Sequence, residues 1–321
     1  MSAVDAASTV SAQVAKRWQA IDPLLPAPAP PPGCGADLTV TGAGGRPSAT
    51  GTCEHWAGES GTLDLTWGAA HRFQLTAHVA GPDVAAALDQ LLARWREHLA
   101  ATPGTDADDT AAVVIWPSRD IDGIRALMRH GFQPQSVVAA RVMGRPAGGT
   151  QPAAAPVRIR RAGPADVDVV TQFGVDEIRY DAHFGGVTER QDTADAMRRE
   201  VAAQLAEPEP WIWLAERDGT AIGLVTAERP EAAAWIAPLS GPAPVSYIPV
   251  LIVRPGERSQ GTGAALAAEL HRQLGAAGIA VTLLHYEQTN PLAGPFWGQQ
   301  RYRPLWTSWE ARPALNRAQP K

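Results

Sequence analysis

The sequence predicts an α/β chain of the α+β kind, with helices and strands intermixed in two successive domains, and three observations predict it. At 321 residues the chain is about twice a usual ~150-residue domain. Hydrophobic residues make up 45% and charged residues 19%, the composition of an ordinary folded protein with a sizeable core. Residues 113–134, VVIWPSRDIDGIRALMRHGFQP, lie over 283–304, LLHYEQTNPLAGPFWGQQRYRP, at an offset of 170, nearly half the chain. At that offset Asp120 meets Asn290, Phe132 meets Tyr302 and Pro134 meets Pro304. Both segments have the order apolar strand, polar turn, helix, aromatic-x-Pro.

The elements follow in order. A short helical lead ends at PLLPAPAPPPG, whose prolines predict an extended connector, so residues 1–33 form a first segment. In the body that follows, 34–145, HRFQLTAHVAGPDVAAALDQLLARWREHLA places a strand directly before a helix. Residues 146–156 lie in a stretch rich in Pro, Gly and Ala and predict a linker, leaving 157–321 as the second domain. There VRIRRA is a short strand, and Pro164 and Asp166 open a helix through Tyr180. A second helix falls within Thr188 to Leu205. WIWLAERDG and TAIGLVTAERP are alternating runs joined by Asp218-Gly219, a hairpin signal. VSYIPVLIV, 245–253, predicts one buried strand. A helix over 262–277, a strand over 279–286, a helix from Asn290 to Gln300 and a strand near Leu305 to Glu310 complete the order.

Charge and cysteine content exclude several function classes. Lys plus Arg number 28 against 33 Asp plus Glu, net −5, so no basic excess favours a nucleic-acid partner. Cys34 and Cys53 are the only cysteines, too few and too separated for a zinc cage or a redox pair, and no metal is expected. The N-terminus lacks the basic segment and apolar run of a signal peptide, and no stretch approaches ~18 apolar residues. A cytoplasmic protein with no membrane partner is expected.

The chemistry concentrates in VLIVRPGERSQGTGAA, 250–265, where a buried strand runs through a loop straight into a helix. Glycines there admit a ligand close to the backbone, and free N–H groups at a helix N-terminus favour a phosphate or pyrophosphate. Arg258 adds a full charge. Two glycines at such a junction also serve a tight turn, and it is the order of elements around them that favours the ligand. No GK[ST] follows, and GxGxxG is not satisfied, so neither a Walker loop nor a dinucleotide fingerprint is present.

Helix, helix, hairpin, strand, Arg-x-x-Gly-x-Gly, helix, strand, Asn-initiated helix, strand resembles the GNAT superfamily of acyl-CoA-dependent N-acetyltransferases over about 157–312. That family's signature [RQ]xxGx[GA] is met by Arg258, Ser259, Gln260, Gly261, Thr262 and Gly263, after Leu251, Ile252 and Val253. A second hallmark is met by Asn290, Ala293, Phe296, Trp297 and Tyr302, with Arg301 in place of the usual glycine. The resemblance implies tandem GNAT-like domains, each a mixed central sheet flanked by helices. The first is a degenerate repeat without the phosphate loop, in which Trp95, Arg96, Trp116 and Arg119 are more plausibly packing than pocket residues.

It further implies acetyl-CoA as cosubstrate, held by Leu251 to Val253, Arg258 to Gly263, Asn290, Phe296 and Trp297. The amine of a small molecule or peptide attacks the thioester directly, with a main-chain amide of Leu251 to Val253 polarising the carbonyl. The family's usual tyrosine acid is replaced by Trp297, whose indole is not acidic, so Tyr247 and His285 are the candidate proton carriers beside the Leu251 backbone. Glu228 and Glu287 are further carboxylates, and Tyr180, His183 and Phe184 fall where the family builds its acceptor pocket. A non-catalytic acyl-CoA-binding or sensor protein and an O-acyltransferase are the alternatives. A monomer or homodimer is expected.

Overall fold

The computed structural model describes residues 3–28, 36–42, 45–144 and 157–315. The expected linker, Cys34 and the end of the Pro-rich connector lie outside the described residues. Contacts divide the chain into two compact units, the first formed by Met1–Gly58, Gly68–Val138 and Pro304–Lys321, the second by Glu59–Trp67 and Ala139–Arg303.

In unit 1, β1 (Ala36–Thr41), β2 (Pro47–Ala57) and β3 (His71–Val79) run antiparallel in succession, and β3 pairs parallel with β4 (Thr110–Pro117). A parallel neighbour needs a crossover, and α2 (Val84–Ala101) supplies it. Its apolar face carries Leu88, Leu91, Leu92, Trp95 and Leu99 into a core with Leu75, Val114, Trp116 and Leu127, the last from α3 (Ile121–Arg129). The helical lead is α1 (Ala3–Ile21), and its Trp18 meets Trp306 edge-on at 5.1 Å. Leu24 and Leu25 are buried, so the first residues of the expected connector are packed into the unit rather than extended through solvent. β1 carries a strict apolar and polar alternation, Ala36, Asp37, Leu38, Thr39, Val40, Thr41.

The internal repeat corresponds to matched elements: β4, α3 and β5 (Gln133–Val142) fall at the places of β11 (Val281–Glu287), α7 (Ala293–Gln299) and β12 (Arg303–Ala311). The last strand of each repeat does not keep to one half of the chain: β12 from Pro304 falls in unit 1, and β5 is divided after Val138. β12 pairs antiparallel with β4, Trp309 opposite Val114, and places Trp309 and Leu315 in the core of unit 1. The end of β5, from Ala139, belongs to unit 2.

Unit 2 contains an antiparallel sheet in the order β10 (Leu251–Val253), β8 (Thr220–Thr226), β7 (Ile212–Arg217), β6 (Arg158–Arg161). The β7–β8 turn has φ 50° at Asp218 and 76° at Gly219, the two left-handed residues that a tight hairpin demands. Against the sheet pack α4 (Val167–Asp181) and α5 (Thr193–Leu205), through Phe173, Ile178, Val201, Leu205, Leu214 and Leu224. The expected single strand over 245–253 is instead two: β9 (Val245–Ile248) pairs parallel with β11, and β10 pairs with β8. Pro249 lacks an N–H and stands at the break, where the chain leaves one ladder for the other. α6 (Thr262–Ala276) follows β10 directly.

Candidate active site

The break after β9 creates a wedge. Pairing of β11 with β9 covers Val281–Val245 to Leu284–Ile248 and stops there, while β10 forms the edge of its own sheet. Thr226 N donates to Val250 O at 3.0 Å, and Arg254 N to Ile222 O at 2.9 Å. In an antiparallel ladder the direction alternates, so Leu251 and Val253 turn their N–H and C=O groups away from β8, into the wedge, while those of Ile252 are engaged. The side chain of Arg258 uses one of these outward carbonyls, its Nε donating to Val253 O at 3.0 Å.

At the N-terminus of α6, Gly261 has φ 85° and Ser259 φ 62°, a curled backbone that aims successive amides at one point. Gly263 leaves the approach open: a Cβ there would lie 3.3 Å from the Phe296 ring. Thr262 is 1% exposed and its Oγ1 has no hydrogen-bond partner. An orphaned hydroxyl, turned amides and the dipole of a four-turn helix at one place fit an anionic oxygen ligand. The loop is braced from β7, where Arg217 pairs with Glu257 and donates to Gln260 Oε1 at 3.1 Å. The Arg258 guanidinium lies over the Tyr180 ring, 4.9 Å from its centroid. Asn290 Oδ1 accepts from Leu292 N at 3.0 Å and Ala293 N at 3.2 Å and so starts α7. Trp297 is buried with Phe296 on one side and Tyr302 on the other, ring centroids 4.9 and 5.0 Å away.

Beside the wedge, Tyr247 of β9 and His285 of β11 meet, with Oη and Nδ1 3.1 Å apart. Trp235 stacks on His285 with an interplanar angle of 8° and donates through Nε1 to Glu228 Oε2 at 3.0 Å. Burial lowers the His285 pKa to about 4, so the imidazole is neutral at pH 7. Burial, reinforced by the charges of Glu228 and Glu177, raises the Tyr247 phenol far above its usual value and keeps it protonated. Glu228 is raised by burial as well.

Three carboxyl groups stand at the end of β11 and α4. Asn290 Nδ2 donates to Asp181 Oδ1 at 3.2 Å, and Glu287 lies against Gly186, where an added Cβ would be 2.4 Å from either carboxylate oxygen. Burial raises Glu177 well above the carboxylate range, with the Asp181 and Glu287 charges adding to it, and burial pushes Asp181 up to about 6. Glu177 Oε2 has no partner. Glu177, Asp181 and Trp235 were not legible in the sequence: the acids look like surface residues of an amphipathic helix, and Trp235 follows three alanines. No group of acidic, His or Cys side chains suited to a metal occurs among the described residues.

Among the described residues, unit 1 has no counterpart to the loop. Asp83 caps α2 with its own carboxylate, accepting from Ala86 N at 2.9 Å, so the anionic position at that N-terminus is already taken.

Residues 175–300 match the model of the Acetyltransferase (GNAT) family. That match lies within unit 2, which is thus similar to a GNAT acetyltransferase domain. The fold likeness reaches further along the chain. A GCN5-related N-acetyltransferase from Sphaerobacter thermophilus superimposes with a TM-score of 0.52 at 14% identity, covering 86% of this chain and 80% of that one. Weaker likenesses are to a GCN5-related N-acetyltransferase from Kribbella flavida, TM-score 0.44 at 15% identity over 95% of this chain and 94% of that one, and to one from Ralstonia eutropha JMP134, TM-score 0.35 at 21% identity over 46% and 94%. Comparison with curated proteins finds no match. Among the described residues no helix is long and apolar enough to cross a membrane.

Proposed function

We propose that the protein is an N-acetyltransferase that moves an acetyl group from acetyl-CoA to a cationic amine, with one working site, in unit 2. The observation that carries this is the wedge between β10 and β11 with the Arg258–Gly263 loop at its side. It offers turned amides and the orphaned Thr262 hydroxyl for a pyrophosphate and a strip of outward main-chain groups at Leu251 and Val253. Bound acetyl-CoA supplies the thioester. Phe296 stands beside Gly263 as an apolar wall for the carrier arm. An amide of Leu251 or Val253 donates to the thioester oxygen as negative charge builds on it, a stabilisation that needs no side chain.

The acceptor arrives as an ammonium ion, the form that the Asp181 and Glu287 carboxylates attract. Asp181, near neutrality, accepts one proton and releases the amine as nucleophile. After attack the C–S bond breaks, and the second amine proton reaches the sulfur through the Tyr247 hydroxyl, which gives its own proton to the sulfur as it takes the one from the new amide; the proton on Asp181 passes to solvent. His285, kept neutral by burial, positions that hydroxyl through its Nδ1.

The test is thiol release from acetyl-CoA, followed with a panel of diamines, aminoglycosides, amino acids and alcohols. Turnover with cationic amines supports the proposal. Turnover with alcohols alone makes the protein an O-acyltransferase, and acetyl-CoA binding with no turnover on any acceptor makes it a sensor. In sequence terms the two repeats are tandem GNAT-like domains, of which only the second retains the phosphate loop.

A further inference from the structure

Away from the wedge, a cavity of about 320 Å³ is lined by Arg141, Val142, Arg301 and Arg303, three guanidinium groups and one apolar side chain. Arg141 is 6% exposed. Its Nη1 donates to His271 Nδ1 at 2.9 Å and to Gln300 O at 2.7 Å, and its Nε has no partner. Both partners are neutral: burial, and then the Arg141 charge, lowers the His271 pKa to about 3. With Nδ1 accepting, His271 Nε2 carries the proton and donates to Tyr302 Oη at 3.0 Å. A buried cation with neutral partners and an orphaned N–H lacks the counter-charge that ordinarily offsets its desolvation.

Arg301 follows α7 with φ 66°, a left-handed conformation costly for a side chain and natural to glycine, which the resembling family carries here. Strain of this kind persists where a side chain has work to do. Met143 N donates to Ala280 O at 2.9 Å, so this end of β5 adjoins the start of β11. The wedge opens five or more residues further on, roughly 15–20 Å away at the rise of a strand.

We propose that Arg141, Arg301 and Arg303 form a second ligand site of unit 2, one that takes a compact oxyanion, a phosphoryl or carboxylate group, separately from the acetyl-CoA cradle. Planar guanidinium forks suit paired oxygen acceptors, and the anion supplies the charge that Arg141 lacks.

The experiment is thermal unfolding of the full chain against sodium phosphate and against sodium malonate, at ionic strength fixed with sodium chloride, without and with saturating CoA. The wild-type Tm is expected to rise with the oxyanion and to go on doing so when CoA fills the cradle. Arg301→Gly, and Arg301→Asn as a second variant tolerant of the same backbone, are expected to keep or raise the unliganded Tm and to lose the oxyanion-dependent rise. Arg303→Gln is expected to diminish it. A rise with both anions marks general oxyanion recognition and a rise with phosphate alone marks a phosphoryl site, and either supports the proposal. No rise in the wild type, an equal rise in the Arg301 variants, or a rise that CoA abolishes overturns it.

Discussion

Asp181 holds its proton to about 6 because it is buried, against the hydrogen bonds with Asn290 and Glu177 that pull the other way, and that makes it a base suited to neutral pH. We expect kcat/KM to rise with pH through about 6, and Asp181→Asn to show low activity without that limb; an unchanged profile would remove Asp181 from the mechanism. The same shift has a stability sign. A carboxyl whose folded pKa is raised holds more protons folded than unfolded between about 4 and 6, so its presence costs stability increasingly as pH rises through that window. The Tm of Asp181→Asn relative to wild type is therefore expected to be higher at pH 7.5 than at pH 4, and calorimetric scans at the two values check it. His285 contributes no limb near 6.5, since burial has moved it to about 4. Tyr247→Phe is expected to lower kcat by ~100-fold with KM for acetyl-CoA little changed, the magnitude typical of a lost proton donor. The sequence brings Tyr247 forward as a neighbour of Leu251 and Val253 on one strand and His285 as a residue toward the cofactor end of another; Tyr247 lies instead in β9, apart from β10, and its 3.1 Å contact joins it to His285. The sequence carries no sign of Glu177 and Asp181, whose burial depends on what packs over α4.

At the scale of elements, the wedge exists because one stretch of chain pairs with two partners, β9 with β11 and β10 with β8. VSYIPVLIV has the composition of a continuous buried strand, and its division was hidden because nothing local tells which neighbour each half will take. Pro249 was the available signal. The helix after it was plain from Gly261-Thr262-Gly263, since residues able to curl the backbone immediately precede an apolar period. Gly263→Leu, whose side chain must displace Phe296, is expected to weaken acetyl-CoA at least ~100-fold, about 2.7 kcal/mol, with the far-UV circular dichroism unchanged. Retained affinity in a folded variant would mean that the loop serves only as a turn. In unit 1 the helix α2 instead begins at the Asp83 cap, whose carboxylate accepts from Ala86 N.

Across the whole molecule, chain order and contact units do not coincide. The offset of 170 residues was visible in the sequence, and the two halves share a strand, helix, strand order. What no periodicity discloses is that β12 completes unit 1 while the end of β5 belongs to unit 2, because either strand is apolar enough for either place. A chain ended after Tyr302 is expected to lose unit 1, although the deleted residues lie at the far end of the sequence. Trp309 and Leu315 leave its core and β4 is left with an open edge. Loss of cooperative melting in the shortened chain, read by circular dichroism, checks this, and an unchanged melt would contradict the place of β12 in unit 1.

The central claim is that the wedge and the loop before α6 bind acetyl-CoA. Isothermal titration of the full-length protein with acetyl-CoA, beside the same titration of Gly263→Leu, tests it most directly. The account predicts saturable binding of one acetyl-CoA per chain, lost in the variant; no binding to the wild type, two molecules per chain, or equal binding to both proteins would contradict it.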